Sequence, residues 1–253
     1  NSIYYIRRII PFFMKKFICL FTLLVTISSF SQNLTGLELL EKSIKYHDPN
    51  GSWNTFNGKL FVTMETPNSA NRESDIHINI PKEFFNLISK RDSVTTTYTL
   101  NKKDCIISKK DSLRIAKQIN KPKRTHCEMA ELYKNYYTYL YGLPMKLKDP
   151  GTIISNSVEH KTFKGKDYLT LKVNYDASVG NDVWYFYFNP TTYAMEIYQF
   201  FKTYENGEVK PDSGEYILLT KEAKINTIKM PKIRAWYYNK DDKYLGTDIL
   251  NIP

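Results

Sequence analysis

The chain has 253 residues, with 36 Lys or Arg against 26 Asp or Glu and a formal net charge of +10. A basic balance can signal nucleic acid or an anionic membrane surface. Here the charge is spread along the chain, in pairs such as Lys102-Lys103 and Lys109-Lys110 that read as solvated turns. Together with the export signal described next, that dispersal excludes a nucleic-acid partner.

Met14-Lys15-Lys16 opens a basic region, followed by the apolar run from Phe17 to Ile27 and the small-x-small site Ser29-Phe30-Ser31. This order matches a secretory signal peptide with cleavage near Gln32. An apolar run of this length is short of the ~20 residues needed to span a bilayer as a helix. The alternative is an uncleaved N-terminal anchor. A lipoprotein fails on spacing, because Cys19 lies inside the apolar run and no other Cys sits near the cleavage site. Residues 1–31 are therefore expected to be upstream residues plus a cleaved signal, and residues 32–253 a single domain, periplasmic or secreted, with no transmembrane segment. Residues 1–31 carry four basic residues and no acidic ones, so removing them lowers the net charge from +10 to +6.

The mature chain opens with a helix. Thr35 and Glu38 have capping-box spacing, and Leu37, Leu40 and Ile44 recur at helical intervals. It ends before the turn cluster Asp48-Pro49-Asn50-Gly51. Period-two segments follow at 59–65, 73–80, 83–90, 94–100 and 105–108, with a break at Lys90-Arg91-Asp92. Residues 112–119 read as a short helix. A longer helix, 125–141, starts with a second capping box, Thr125 and Glu128, and stops at Gly142-Leu143-Pro144. Strands return at 153–163, 168–175, 183–188, 193–204, 215–219, 228–238 and 244–250. Gly165-Lys166, Asn189-Pro190 and Asn206-Gly207 suit the turns between them. Val183, Tyr185 and Tyr187 alternate with Trp184, Phe186 and Phe188, so this strand is apolar on both faces, as in a sheet covered on both sides.

Cys105 and Cys127 form an even pair in an oxidising compartment, most simply a disulfide. A metal site of Cys105, His126 and Cys127 lacks a fourth ligand and any C-x-x-C spacing, so no metal and no cofactor are expected. There is no H-E-x-x-H, G-x-S-x-G or Gly-rich phosphate loop. His77 and His160 lie on the polar faces of strands and read as exposed. His47-Asp48, with Trp53 behind, is the best candidate for a polar site, although helix-dipole and turn chemistry account for both residues. Asp149, Asp182, Asp241, Asp242 and Asp248 read as loop or strand-edge residues. No catalytic constellation emerges.

The aromatic content is the anomaly: twenty Tyr, fourteen Phe and three Trp. Core and cross-strand pairing is one explanation. The other is an apolar cavity between sheet and helices, lined by Met129, Leu132, Tyr136, Met145, Trp184, Phe186, Phe188 and Trp236, with the helix 125–141 and the loop 142–145 as a lid.

Six segments carry a resemblance: Tyr46-His47-Asp48-Pro49, Tyr139-Leu140-Tyr141-Gly142-Leu143-Pro144-Met145, Asp149-Pro150-Gly151-Thr152, Trp184-Tyr185-Phe186-Tyr187-Phe188, Gly214-Glu215-Tyr216-Ile217-Leu218 and Leu245-Gly246-Thr247-Asp248. In these, nearly the whole mature chain resembles a family of secreted Gram-negative envelope proteins of unknown function. The order of helices and strands is similar, more loosely, to the LolA/LolB-like lipoprotein carriers. That likeness implies an unclosed barrel holding acyl chains beneath a helical lid; it maps no functional residue. The expected fold is mainly β, a large curved antiparallel sheet or unclosed β-barrel with helices in its concave face. The expected function is noncatalytic binding of a lipid, acyl chain or lipoprotein. The alternative is a structural or interaction module of the envelope, with a fully packed core and a protein partner on a sheet edge or loop.

Overall fold

The computed structural model describes residues 34–111 and 125–251. The signal-peptide reading and the short helix at 112–119 lie outside the described residues. Two helices, α1 (Gly36–His47) and α2 (His126–Gly142), accompany twelve strands. These are β1 (Asn57–Thr66), β2 (Ser69–Asn79), β3 (Phe84–Arg91), β4 (Val94–Asn101), β5 (Asp104–Asp111), β6 (Thr152–Phe163), β7 (Lys166–Tyr175), β8 (Val183–Phe188), β9 (Met195–Phe201), β10 (Glu215–Ile225), β11 (Ile228–Tyr238) and β12 (Tyr244–Asn251). The mainly β expectation holds.

Both capping boxes form. The Thr35 N–H donates to Glu38 Oε2 at 2.8 Å and the Glu38 N–H to Thr35 Oγ1 at 3.3 Å; Thr125 and Glu128 repeat this at 2.6 and 3.2 Å. On α1 the buried stripe is Leu39, Leu40, Ser43 and His47, and Leu37 faces solvent.

The strands form one antiparallel sheet in the order β5-β4-β3-β2-β1-β12-β11-β10-β9-β8-β7-β6. Every neighbour is joined by a local connection except one. That exception is β1 with β12, paired from Phe61↔Asn251 to Glu65↔Thr247, which fuses two meanders into a single sheet. β5 and β6 are its two edges, so the barrel is not closed.

Tight turns fix the register. Phe163 pairs with Lys166, so the turn is Lys164-Gly165, one residue earlier than expected; both have positive φ, 48° and 79°, as a type I′ hairpin requires. β10 extends past Leu219 to Ile225, where Asn226-Thr227 turns the chain into β11. The sequence reading stopped short because Thr220, Lys221 and Glu222 are all exposed and only Ala223 is buried there. Lys109 and Lys110 lie within β5, facing Thr96 and Thr95, rather than in a turn.

The sheet curls around α2. Tyr133 packs on Tyr98 of β4 with ring centroids 5.2 Å apart, while Tyr139 hydrogen-bonds Tyr175 of β7. β4 and β7 stand nine strand spacings apart in the sheet order, which is about 43 Å in a flat sheet. The two tyrosines are separated by only about 9 Å of helix rise. A flat sheet cannot reach both. The core therefore fills one concavity, with Leu39 and Leu40 of α1, Tyr137 and Tyr141 of α2, and Leu60, Ile76, Phe85, Leu171 and Phe186 of the strands in one buried cluster.

The convex face is covered too, but by its own side chains. Tyr168, Tyr187 and Ile197 are buried there, with Phe163, Tyr185 and Leu218 packed against them. Lys161 lies over the Tyr185 ring at 4.1 Å. This accounts for β8 being apolar on both faces without a second layer among the described residues.

Cys105 of β5 and Cys127 in the first turn of α2 are joined by a disulfide, 22 residues apart in sequence. It ties the free edge of the sheet to the helix in its concavity. The protein purified without reductant should be lighter than its reduced mass by one pair of hydrogens. Replacing both cysteines by serine should lower stability by about 3 kcal/mol, because a loop of this length then stays open in the unfolded chain. Urea unfolding midpoints that match with and without reductant would contradict that role.

Candidate functional site

The site is a groove at one end of the sheet, and cross-strand register builds it. Trp184, Phe200 and Glu215 stand opposite one another on β8, β9 and β10. One step deeper come Phe186, Tyr198, Ile217, Trp236 and Gly246. One step deeper again, Arg234 of β11 faces Asp248 of β12. Residues two apart on a strand share a face, so successive rows descend from the rim into the concavity.

Against these rows α2 sets Leu132, Asn135, Tyr136 and Tyr139, spaced three and four apart along one helix face. The groove so formed has a volume of about 620 Å³. A smaller recess of about 190 Å³ adjoins it, sharing Tyr136, Glu215 and Trp236 and reaching Met64, Gly246 and Asp248. The aromatic wall is continuous. Trp184 stacks on Phe200 at 4.8 Å, and ring contacts of 6.0–6.3 Å link Tyr139 to Trp184, Trp184 to Tyr198, Tyr198 to Trp236 and Trp236 to Tyr136.

The floor is polar. Arg234, 1% exposed, donates from Nη2 to the Leu140 carbonyl at 3.0 Å and lies 3.9 Å from the Tyr141 ring centroid. Asp248 Oδ2 accepts from the Tyr136 hydroxyl at 3.2 Å. Arg72 donates to the Tyr137 hydroxyl, which donates to Ser74 Oγ. Burial pushes the Asp248 carboxyl up, and Arg234 and Arg72 oppose that shift. Burial also raises the Tyr136 and Tyr139 phenols well above their usual range, so both stay neutral donors. At the rim, burial raises the Asp182 and Glu215 carboxyls, with Lys202 opposing both. Among the described residues no group of three or more His, Cys, Asp or Glu could hold a metal ion. Aromatic rings lining an open groove above a buried polar cluster suit binding an amphiphile.

Of the residues proposed from sequence, Leu132, Tyr136, Trp184 and Trp236 line the groove. Phe186 and Phe188 do not; both are fully buried in the core beneath. Met145 is buried in the short helical turn after α2, and Met129 sits half-buried in the second turn of α2 outside the groove. Leu132 was expected to face the sheet and instead is 41% exposed at the lip, because Ala130, Tyr137, Leu140 and Tyr141 take the inward stripe. Asp248 is no edge residue: β12 is central, and this side chain points inward between Gly246 and Leu250. Tyr139, Tyr175, Phe200, Glu215 and Arg234 were missed. Arg234 had a legible signal, since it shares the inward phase of β11 with Ile228, Met230 and Trp236.

His47, Asp48 and Trp53 lie at the opposite end of the strands. His47 is 4% exposed. Its Nε2 accepts the Met195 N–H at 2.9 Å and its Nδ1 faces the Lys229 carbonyl at 2.8 Å, which requires a neutral ring protonated on Nδ1. It thus bridges β9 to β11 beyond the point where β10 stops pairing with β9. Asp48 accepts the backbone N–H groups of Ser52 and Trp53, both at 2.8 Å. The Trp53 ring packs where a Cβ at Gly142 would stand only 2.3 Å away. Together they form a structural joint that closes one end of the concavity, a heavier role than helix-dipole chemistry. His77 is half-buried and bonds Asn57 Oδ1; His160 is exposed.

A family model described as a family of unknown function, DUF6503, matches residues 14–251. The chain belongs to that family. No curated protein matches it. Among solved structures, a LolA superfamily protein from Nitrosomonas europaea is similar at 9% identity and a TM-score of 0.46, covering 86% of this chain and 92% of that one. A DUF1329 family protein from Desulfovibrio piger is similar at 6% identity and a TM-score of 0.48, covering 87% and 92%. MucB in complex with MucA(peri) matches at 8% identity and a TM-score of 0.25, covering 86% and 94%. No residue role passes from them to this chain.

The His47 joint has a pH signature. Burial lowers the pKa of the folded imidazole, whereas the unfolded ring titrates near about 6.5. Its stabilising contribution is therefore complete above about pH 6.5. It falls as pH drops toward the lower folded value, because the unfolded chain then binds a proton that the folded one does not. His47→Ala should cost about 2–4 kcal/mol at pH 7.5, from two orphaned partners and a cavity. The gap between wild type and variant should narrow by pH 5. A gap independent of pH in urea unfolding would show that the ring is not held neutral.

Proposed function

We propose that the domain is a noncatalytic binder of an apolar chain, of the kind a lipid or lipoprotein carries, and that it works in the periplasm. The compartment rests on the signal pattern at residues 14–32. The binding rests on one observation: an aromatic groove of about 620 Å³ along α2, open to solvent. That volume is ordinary for a small-molecule site. Burying about eight methylenes there would contribute about 6 kcal/mol, the order needed for a Kd of tens of micromolar.

The alternative, a partner docking on a sheet edge, has less to support it. The edge strand β5 carries exposed Lys109 and Lys110, charges that discourage a further strand from adding there.

Filling the groove tests the proposal. Leu132→Trp enlarges an exposed residue at the lip, so unfolding free energy should change by less than about 0.5 kcal/mol. Binding of a neutral fluorescent probe such as N-phenyl-1-naphthylamine should weaken about tenfold or more. Leu37→Trp, at a more exposed site on α1, should leave binding as it was. A folded wild-type protein that binds no such probe would end the carrier reading and return the interaction module in its place.

A further inference from the structure

The groove is acidic on a basic protein. Its lining and that of the adjoining recess carry Lys146 against Asp149, Asp182, Glu215 and Asp248, in a chain whose net charge is +10. Lys146 is already paired with Asp149, and Asp248 lies under Tyr136 with Arg234 and Arg72 near it. Asp182 and Glu215 are left. Both are half-buried, and neither makes an ion pair or side-chain hydrogen bond among the described residues; Lys202 is the one cation acting on each.

Their placement is specific. Glu215 stands directly across from Phe200, which stands across from Trp184. Asp182 lies two residues before Trp184 and lines the same groove. The two carboxylates thus flank a stacked pair of rings, with Trp236 beside Glu215 in the recess wall. Carboxylates beside aromatic rings that line a groove are what a desolvated ammonium group needs: counter-charge from one and the electron-rich π system from the other. An anionic head in the same place would meet two like charges.

We propose that the ligand of this groove is an amphiphile with a protonated amine head, held by Asp182 and Glu215 against Trp184, Phe200 and Trp236. The inference rests on the groove-binding reading and adds the head group to it. An alkylamine is protonated at neutral pH, as Lys is, and its charge would offset what burial costs these two carboxylates.

The test is displacement of N-phenyl-1-naphthylamine at pH 7.5 by ligands of one chain length. Dodecylamine is compared with dodecanoate, and lysophosphatidylethanolamine with lysophosphatidylglycerol, so that a simple amine and an aminophospholipid are separate arms. In at least one arm the ammonium ligand should bind about tenfold more tightly or better, and the pair showing the preference identifies the source. The ratio should drop below about threefold in Asp182→Asn/Glu215→Gln, and should also fall in wild type as salt rises, a readout that needs no variant to fold. Equal or tighter binding of the anionic partner in both arms, or a ratio that ignores both neutralisation and salt, overturns the inference. Dodecanol keeps the two readings apart. If it displaces the probe while no amine is preferred, the head-group inference alone fails; if nothing displaces or binds, the groove reading falls with it.

Discussion

One helix in contact with both ends of a twelve-stranded sheet sets the shape of this protein. Tyr133 reaches β4 and Tyr139 reaches β7, so the sheet must wrap α2, and its edge strands β5 and β6 stay unpaired with each other. The half-barrel that results has a wide interior and only two described helices to fill it. Aliphatic side chains alone would leave voids, and voids forfeit the contacts that make burial favourable. Large rings close the distance between helix and strands: Tyr137, Tyr141, Tyr198, Phe186 and Phe188 are all essentially fully buried. Most of the aromatic excess is thus structural, and the part that lines the groove is the remainder where α2 no longer covers the rim.

The two ends of the concavity differ in chemistry. At one end His47 and Asp48 satisfy backbone groups that the ladders leave open, and Trp53 seals the end of α2. His47 and Asp48 each hold two partners at 2.8–2.9 Å, which suits a rigid joint. At the other end the buried charges of Arg234 and Asp248 sit one row below the rings. Burying them is costly unless they are hydrogen-bonded; Arg234 bonds the Leu140 carbonyl of α2 as well as that of Pro231, and Asp248 bonds Tyr136 of α2. The polar floor therefore anchors the helix that forms one wall of the groove, so floor and wall are positioned together.

Much of the architecture was legible from local pattern. All twelve strands and both described helices were placed from period-two alternation, capping boxes and turn residues, because each of those signals acts over a few residues. What local pattern does not encode depends on contacts between residues far apart in the chain. Leu132 was assigned inward by its hydrophobicity, yet Tyr137 and Tyr141 outcompete it for the core since they span a wider gap. Asp248 was assigned to an edge by its charge, yet the pairing of β1 with β12 buries it. The weight of His47 is not legible locally, because its partners, Met195 and Lys229, are far away in the chain.

By itself, then, the sequence determined the elements, the antiparallel pairing of consecutive strands and the disulfide pair, since these follow from local backbone preference and from the parity of the two cysteines. Only the tertiary structure decided which aromatic residues are core and which are wall. That choice depends on how far the sheet curls, and the curl depends on contacts between α2 and strands nine positions apart. It also decided that Asp182 and Glu215 meet at one rim while His47 lies at the other. Register between strands distant in sequence brings such groups together, and no short-range pattern encodes it.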